Sequence, residues 1–158
     1  GDFVHKGTMG NALLIAGSYG MAGAAVLATR ACLRSGAGKV TVHTPKKNYD
    51  IMQTAVPEAI MQIDHEETYF SEAVNVEDFD ALGIGPGLGQ QENTAIAMIS
   101  QIRRAQCPVV AEEYHYDAAR SRVRPTERNA FQRRLRTFGT SAKLGTKPHR
   151  IHTTERAQ

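Results

Sequence analysis

The sequence predicts an α/β protein built on a mostly parallel sheet with helices on both faces. Three observations carry that reading. Short apolar or β-branched runs alternate with segments of helical period, and the links between them are short and contain glycine. Residues 39–44, Lys-Val-Thr-Val-His-Thr, alternate in the manner of a half-buried strand. Two of the apolar runs break directly into glycine-rich turns, Gly17-Ser18-Tyr19-Gly20 and Gly83-Ile84-Gly85-Pro86-Gly87-Leu88-Gly89. In open parallel sheets, ligands bind beyond the carboxyl ends of the strands. Both turns leave such ends, so they are expected to face one crevice.

Taken in order, residues 1–10 are polar and read as an arm. Residues 11–16 are the first strand. Residues 21–35 form a small-residue helix with apolar or small side chains at Ala24, Leu27, Ala28, Ala31 and Leu33, stopped by Gly36 and Gly38. The second strand spans 39–44 and ends at Pro45, and a short helix follows over 48–53. Residues 57–63 read as a third, more exposed strand. Residues 65–78 are acidic and are expected at the surface, with at most one helical turn. Residues 80–84 form the fourth strand. Residues 92–104 form a helix with Ile96, Met98, Ile99 and Ile102 as its apolar positions, and 108–111 start the fifth strand.

Beyond residue 111 the character of the chain changes. Residues 112–120 have no clear period, and 121–158 hold six residues of the V/I/L/M/F/W/Y/C set. Residues 126–136 are compatible with an arginine-rich helix. From 138 onward burial can hardly offset the ordering entropy, so 112–158 is expected to be a disordered or loosely held basic tail. Ten of the 19 Lys and Arg fall in 121–158 against two acids, giving that segment +8 and leaving −5 for residues 1–120. The pI near 9.0 thus belongs to one end and does not mark the first 120 residues as a nucleic-acid surface.

The composition excludes several classes. At 158 residues and 41% apolar, the chain is long enough for one cored domain, and no stretch approaches the roughly 18 apolar residues of a membrane span. Residues 1–7 lack the basic-then-apolar pattern of a secretory leader. Cys32 and Cys107 form no CxxC pair and read as buried thiols of a reducing, cytoplasmic compartment. No metal site is expected: His43 reads as a satisfied polar residue, His65 as part of a solvated acidic run, and His149 and His152 lack acidic or cysteine partners. Asp80 precedes its strand and reads as structural.

The glycine motifs carry the chemistry. Gly17, Gly20 and Gly23 are spaced G-x-x-G-x-x-G, which is neither the dinucleotide fingerprint nor a Walker A loop. Such a turn at a helix start presents backbone N–H groups, and Gly23 and Ala24 let a ligand approach the backbone. Gly83, Gly85, Gly87 and Gly89 occupy every second position; ordering each costs about 0.5–1 kcal/mol relative to Ala, so a closely approached backbone explains them better than chance.

Assembled in order, these motifs resemble the ADP-dependent NAD(P)H-hydrate dehydratase family, a carbohydrate kinase-related branch of the ribokinase-like three-layer αβα fold. The matching residues are His5-Lys6-Gly7-Thr8, residues 16–25 (AGSYGMAGAA), residues 34–38 (RSGAG), residues 53–58 (QTAVPE) and residues 84–89 (IGPGLG). They cover about residues 3–111, so the chain resembles only the N-terminal part of a family domain and reads as truncated. The resemblance implies a lyase that repairs hydrated NADH or NADPH (NADHX or NADPHX), with ADP or ATP as co-substrate and Mg2+ as a companion ion. By position it implies that Ala24, Gly23, Gly85, Gly87 and Gly89 contact the hydrated nicotinamide nucleotide, Gly87 foremost, and that His5 and Lys6 shape the same mouth. It also implies a Thr-Pro-His-Pro loop and a Gly-x-Gly-Asp anion hole bearing the catalytic aspartate. Neither occurs in this sequence, so no catalytic residue is assigned, and the stretch from about 112 reads as a shifted reading frame or a truncated gene. Two other functions remain open: a sugar or vitamin kinase of the same fold, and a non-catalytic binding protein whose tail holds polyanions. A sheet stopped after the fifth strand would expose an edge and helix faces, which favours a homo-oligomer.

Overall fold

A computed structural model describes residues 10–122, 135–138 and 151–153. The strands are β1 (Asn11–Ile15), β2 (Lys39–Thr44), β3 (Ile60–Ile63), β4 (Ala81–Ile84), β5 (Val109–Glu112), β6 (Leu135–Phe138) and β7 (Ile151–Thr153). The helices are α1 (Ala22–Arg34), α2 (Tyr49–Ala55, preceded by one 3-10 turn), α3 (Glu92–Arg104) and α4 (Glu113–Arg120). One sheet runs β3-β2-β1-β4-β5-β6-β7. Its pairs are parallel from β3 through to β6, and β7 closes antiparallel on β6. The expected mostly parallel α/β sheet is therefore the observed one.

The register sorts the side chains onto two faces. Leu13 opposes Leu82 and Ile15 opposes Ile84, while Leu82 opposes Val109 and Ile84 opposes Ala111. Alternation puts these six on one face, where they join Met98, Ile99 and Ile102 of α3 and Tyr116 and Ala119 of α4 in the larger core. Leu14, Ala16, Val40 and Val42 occupy the opposite face and pack with Ala25 and Val26 of α1 and Met52 of α2. The chain leaves β1 toward β2 and β3 in one direction, and later leaves β4 toward β5 and β6 in the other. Right-handed crossovers then require α1 and α3 on opposite faces.

The element ends lie within three residues of expectation, and the corrections that matter lie elsewhere. Residues 65–78 are not purely surface and contain no helix. Phe70 is 1% exposed and Val76 is buried, both in the larger core. Asp64 anchors this segment: its carboxylate accepts hydrogen bonds from the Glu66 and Ser71 N–H groups and the Ser71 hydroxyl, and pairs with His43 Nε2 at 2.7 Å. His43 is thus a satisfied polar residue, as expected. Asp80 accepts from the Asn11 N–H at 2.8 Å, a structural role.

Within 112–158, α4, β6 and β7 stand where an unstructured tail is expected. The helix forms because Tyr116 and Ala119, three residues apart, share a face that packs on α3. Glu112 caps it by accepting from the His115 N–H at 3.1 Å. Leu135 and Arg136, expected in a helix over 126–136, lie in β6; the remainder of that expected helix falls outside the described residues. The sheet does not stop at its fifth strand, since β6 pairs with β5. Among the described residues, helix and sheet faces nonetheless remain uncovered. Beside α1, over β1, β4 and β5, lies an apolar groove of about 670 Å3 lined by residues including Leu14, Leu27, Ala28, Gly83 and Val110.

Candidate functional site

In the strand order, β1 and β4 are neighbours whose chains run off in opposite directions. Their carboxyl ends therefore flank the topological switch point, the place where such sheets leave a crevice for ligands. The loop after β1 is 16–21 and the loop after β4 is 85–91. The expected convergence of the two glycine motifs is realised through direct hydrogen bonds. The Gly17 N–H donates to the Pro86 carbonyl at 2.7 Å, and the Ser18 hydroxyl donates to the Gly87 carbonyl at 2.7 Å. Within the second loop, the Leu88 N–H donates to the Gly85 carbonyl at 3.1 Å, closing a turn.

Packing dictates two of the glycines. Gly87 has φ +68°, and a Cβ there would lie 2.8 Å from Ala24 Cβ and 2.9 Å from the Met21 carbonyl oxygen. Gly85, with φ +129°, would place a Cβ 2.5 Å from Glu112 Cβ. The close approach at both positions is therefore made by the protein's own chain, from α1 on one side and β5 on the other. Ala24 is small for the same reason. A Cβ at Gly89 would make only ordinary contact with the Ser18 hydroxyl, and Gly23 is exposed on the first turn of α1. α1 opens at Met21 without a side-chain cap, which leaves its first-turn N–H groups available at this rim. The structure thus brings Gly23, Ala24, Gly85, Gly87 and Gly89 together. His5 and Lys6 lie outside the described residues.

Several neighbours escaped the sequence reading. Ser18 sits inside the first glycine motif, and only the fold reveals that its hydroxyl ties the two loops together. Glu112, at the end of β5, is buried beneath Gly85 and bonds His115 Nδ1. Burial pushes its carboxyl up, but the His115 ring bond, the His115 N–H and charge, and the Tyr114 N–H together hold it below the usual carboxylate value. A small cavity of about 110 Å3 beside this pair is lined by Gly89, Gln90, Tyr114 and His115, among others, with Gln90 Nε2 donating to the Tyr114 hydroxyl at 2.5 Å. The signal for the pair was a carboxylate and a histidine three residues apart at a strand end, in a stretch without period. Tyr19 is 66% exposed on the first loop, and Lys47 Nζ lies 5.1 Å from its ring centroid. Among the described residues, no group of three or more His, Cys, Asp or Glu could hold a metal ion, and no helix is long and apolar enough to cross a membrane.

Comparison with known proteins places these loops in a family context. Residues 12–113 match the family model described as NAD(P)H-hydrate dehydratase. The ADP-dependent (S)-NAD(P)H-hydrate dehydratase of Listeria monocytogenes is 45% identical over 89 residues, 56% of this chain and 31% of that protein. The protein of the same name from Bacillus subtilis is 39% identical over 108 residues, 68% of this chain and 38% of that protein. A crystal structure of the Bacillus subtilis ADP/ATP-dependent NAD(P)H-hydrate dehydratase, co-crystallised with ATP/Mg2+, superposes with a TM-score of 0.62 at 36% identity, covering 71% of this chain and 40% of that one. The matched part of the chain thus spans between 31% and 40% of the length of these relatives. With both crevice loops inside the matched residues, the chain belongs to the NAD(P)H-hydrate dehydratase family.

Proposed function

We propose that this chain supplies the substrate-side wall of an NAD(P)H-hydrate dehydratase and that the polypeptide of these 158 residues does not turn over by itself. The observation that carries the reading is the hydrogen-bonded contact of the two glycine loops across the switch point, both within the family match. In this reading the loop after β4 and the first turn of α1, with Ala24, Gly23, Gly85, Gly87 and Gly89, receive the hydrated nicotinamide nucleotide, NADHX or NADPHX. Gly87 is the central contact and Lys6 a flanking one. Binding there orients the substrate by backbone N–H groups, which favour its phosphate and carboxamide oxygens.

ADP or ATP is the co-substrate that the relatives' names imply. Among the described residues no cluster of three or more His, Cys, Asp or Glu could hold Mg2+ by itself, and the sequence holds no Gly-x-Gly-Asp, so no phosphoryl step is assigned to these residues. Positioning a phosphoryl donor and activating a hydroxyl need groups beyond those named here.

The boundary near 111 is part of the same reading: the family match ends at residue 113, two residues into the basic segment 112–158. That segment is expected to hold polyanions only nonspecifically, with steep salt dependence. A cytoplasmic setting fits the two free cysteines, and self-association through the apolar groove is the expected assembly.

A coupled assay that follows NADH regained from its hydrate in the presence of ADP tests the reading. Weak NADH binding without recovery is expected, and clear recovery by the 158-residue chain would overturn it.

A further inference from the structure

We infer that Tyr19 and Lys47 form a stacking subsite at the lip of the crevice, which takes a heteroaromatic ring carrying a phosphate. The inference rests on the proposed nucleotide-binding function and adds which side chains recognise the ring.

Tyr19 follows Ser18, whose hydroxyl is bonded to Gly87, so its place beside the glycine loops is fixed by the backbone. The loop is further tied by the Tyr19 N–H donating to the Thr68 carbonyl at 2.8 Å. A large aromatic side chain in so well-anchored a loop would ordinarily turn inward, because burying it stabilises the fold. Tyr19 instead remains 66% exposed. Lys47, just past the carboxyl end of β2, is held by its N–H to the Glu67 carbonyl at 3.0 Å and sets its ammonium over the ring, 5.1 Å from the centroid.

A cation occupies only one face of an aromatic ring. The high exposure leaves the remainder of the Tyr19 surface open to an incoming ring. Lys47 stands against the ring and Lys46 precedes it in the chain, so a phosphate attached to the stacked ring meets positive charge. The pairing of a flat apolar surface with an adjacent cation suits a nucleotide better than a sugar alone, which has no π-face to stack.

The test titrates the 158-residue chain with NADH, ADP and ribose 5-phosphate by NMR, comparing it with Tyr19→Phe, Tyr19→Ala and Lys47→Gln. Wild type should bind NADH with an upfield shift of the Tyr19 ring protons. Tyr19→Phe should bind within twofold of wild type, and Tyr19→Ala about tenfold more weakly. Lys47→Gln should bind NADH severalfold more weakly and lose salt sensitivity, while ribose 5-phosphate should be indifferent to the Tyr19 changes. If NADH binds wild type and Tyr19→Ala equally, or Tyr19→Ala weakens ribose 5-phosphate as much as NADH, the stacking subsite is overturned and the proposed function stands. If wild type binds none of the three probes, the proposed function falls and the subsite falls with it.

Discussion

At the scale of single residues, Gly87 sets how closely the loop after β4 meets α1. Gly87 combines a left-handed backbone, φ +68°, with an occupied Cβ position, whereas Gly20, φ +89°, has open space around it. Both disfavour alanine on backbone grounds, so the difference between Gly87→Ala and Gly20→Ala isolates the clash with Ala24 and the Met21 carbonyl. Gly87→Ala should cost about 1–3 kcal/mol more than Gly20→Ala in chemical denaturation; equal costs would mean that the two loops do not meet as described. Asp64 sets the acid limit. Burial pushes its carboxyl up, but hydrogen bonds from His43, Ser71 and the Glu66 N–H prevail and lower it from 3.8 to about 2. The folded value lies below the unfolded one, so the stabilisation is full above about pH 3.8 and is lost as the pH falls toward 2. The loss is about 2 kcal/mol. Asp64→Asn should lack that drop, and an equally steep fall in the variant would assign it to other groups. The glycine spacing made the crevice legible in the sequence, because only a few backbone conformations need so many glycines. The partners of Asp64, Ser18 and Glu112 were hidden, since each bond joins residues that the fold brings together or that lie in a stretch without period.

At the scale of elements, α3 shows how a helix can secure an irregular segment. Gln101 is fully buried; its Nε2 donates to the Val74 carbonyl at 3.0 Å and its Oε1 accepts from the Val74 N–H at 2.7 Å, much as a neighbouring strand would. Thr94, one face away from solvent, donates its hydroxyl to the Phe70 carbonyl at 2.9 Å. Gln101→Leu keeps the bulk and removes both bonds, leaving two backbone groups at Val74 unpaired. It should cost about 2–4 kcal/mol, with accelerated amide exchange concentrated in 64–80; a cost below 1 kcal/mol would mean that water replaces the glutamine. Strands β1 to β5 and helices α1 to α3 were legible from alternation and period, whereas β6 and β7 fall in the core-poor stretch read as a tail. The segment 65–78 was not legible either: its acids suggested surface, while Phe70 and Val76 reach the core between them. α4 was missed for a related reason, since two buried positions, Tyr116 and Ala119, are too few to make a period.

At the scale of the whole molecule, the described residues cover the sheet unequally. Strands lie about 4.8 Å apart and packed helices about 10 Å apart, so a sheet face seats roughly one helix for every two strands. On the face bearing Leu14 and Val42, α1 takes the seat over β1 and β2, and the adjoining seat over β4 and β5 is the groove of about 670 Å3. Its lining includes Leu27, 67% exposed, and Val110, 38% exposed, and no charged residue. Burial of Cys32 at its side pushes that thiol up, which keeps it unreactive there. Exposed apolar surface of this extent is typical of interaction sites, and it is the surface through which the proposed self-association would run. Leu27→Glu and Val110→Lys each place a charge at its mouth, where neither residue supports the folded core. Both should reduce binding of an apolar dye and lower self-association measured by analytical ultracentrifugation, with stability changed by no more than about 0.5 kcal/mol. If both variants associate as the parent does, the contact lies elsewhere, and the exposed edge β3, with Ile60 half exposed, is the next surface to charge.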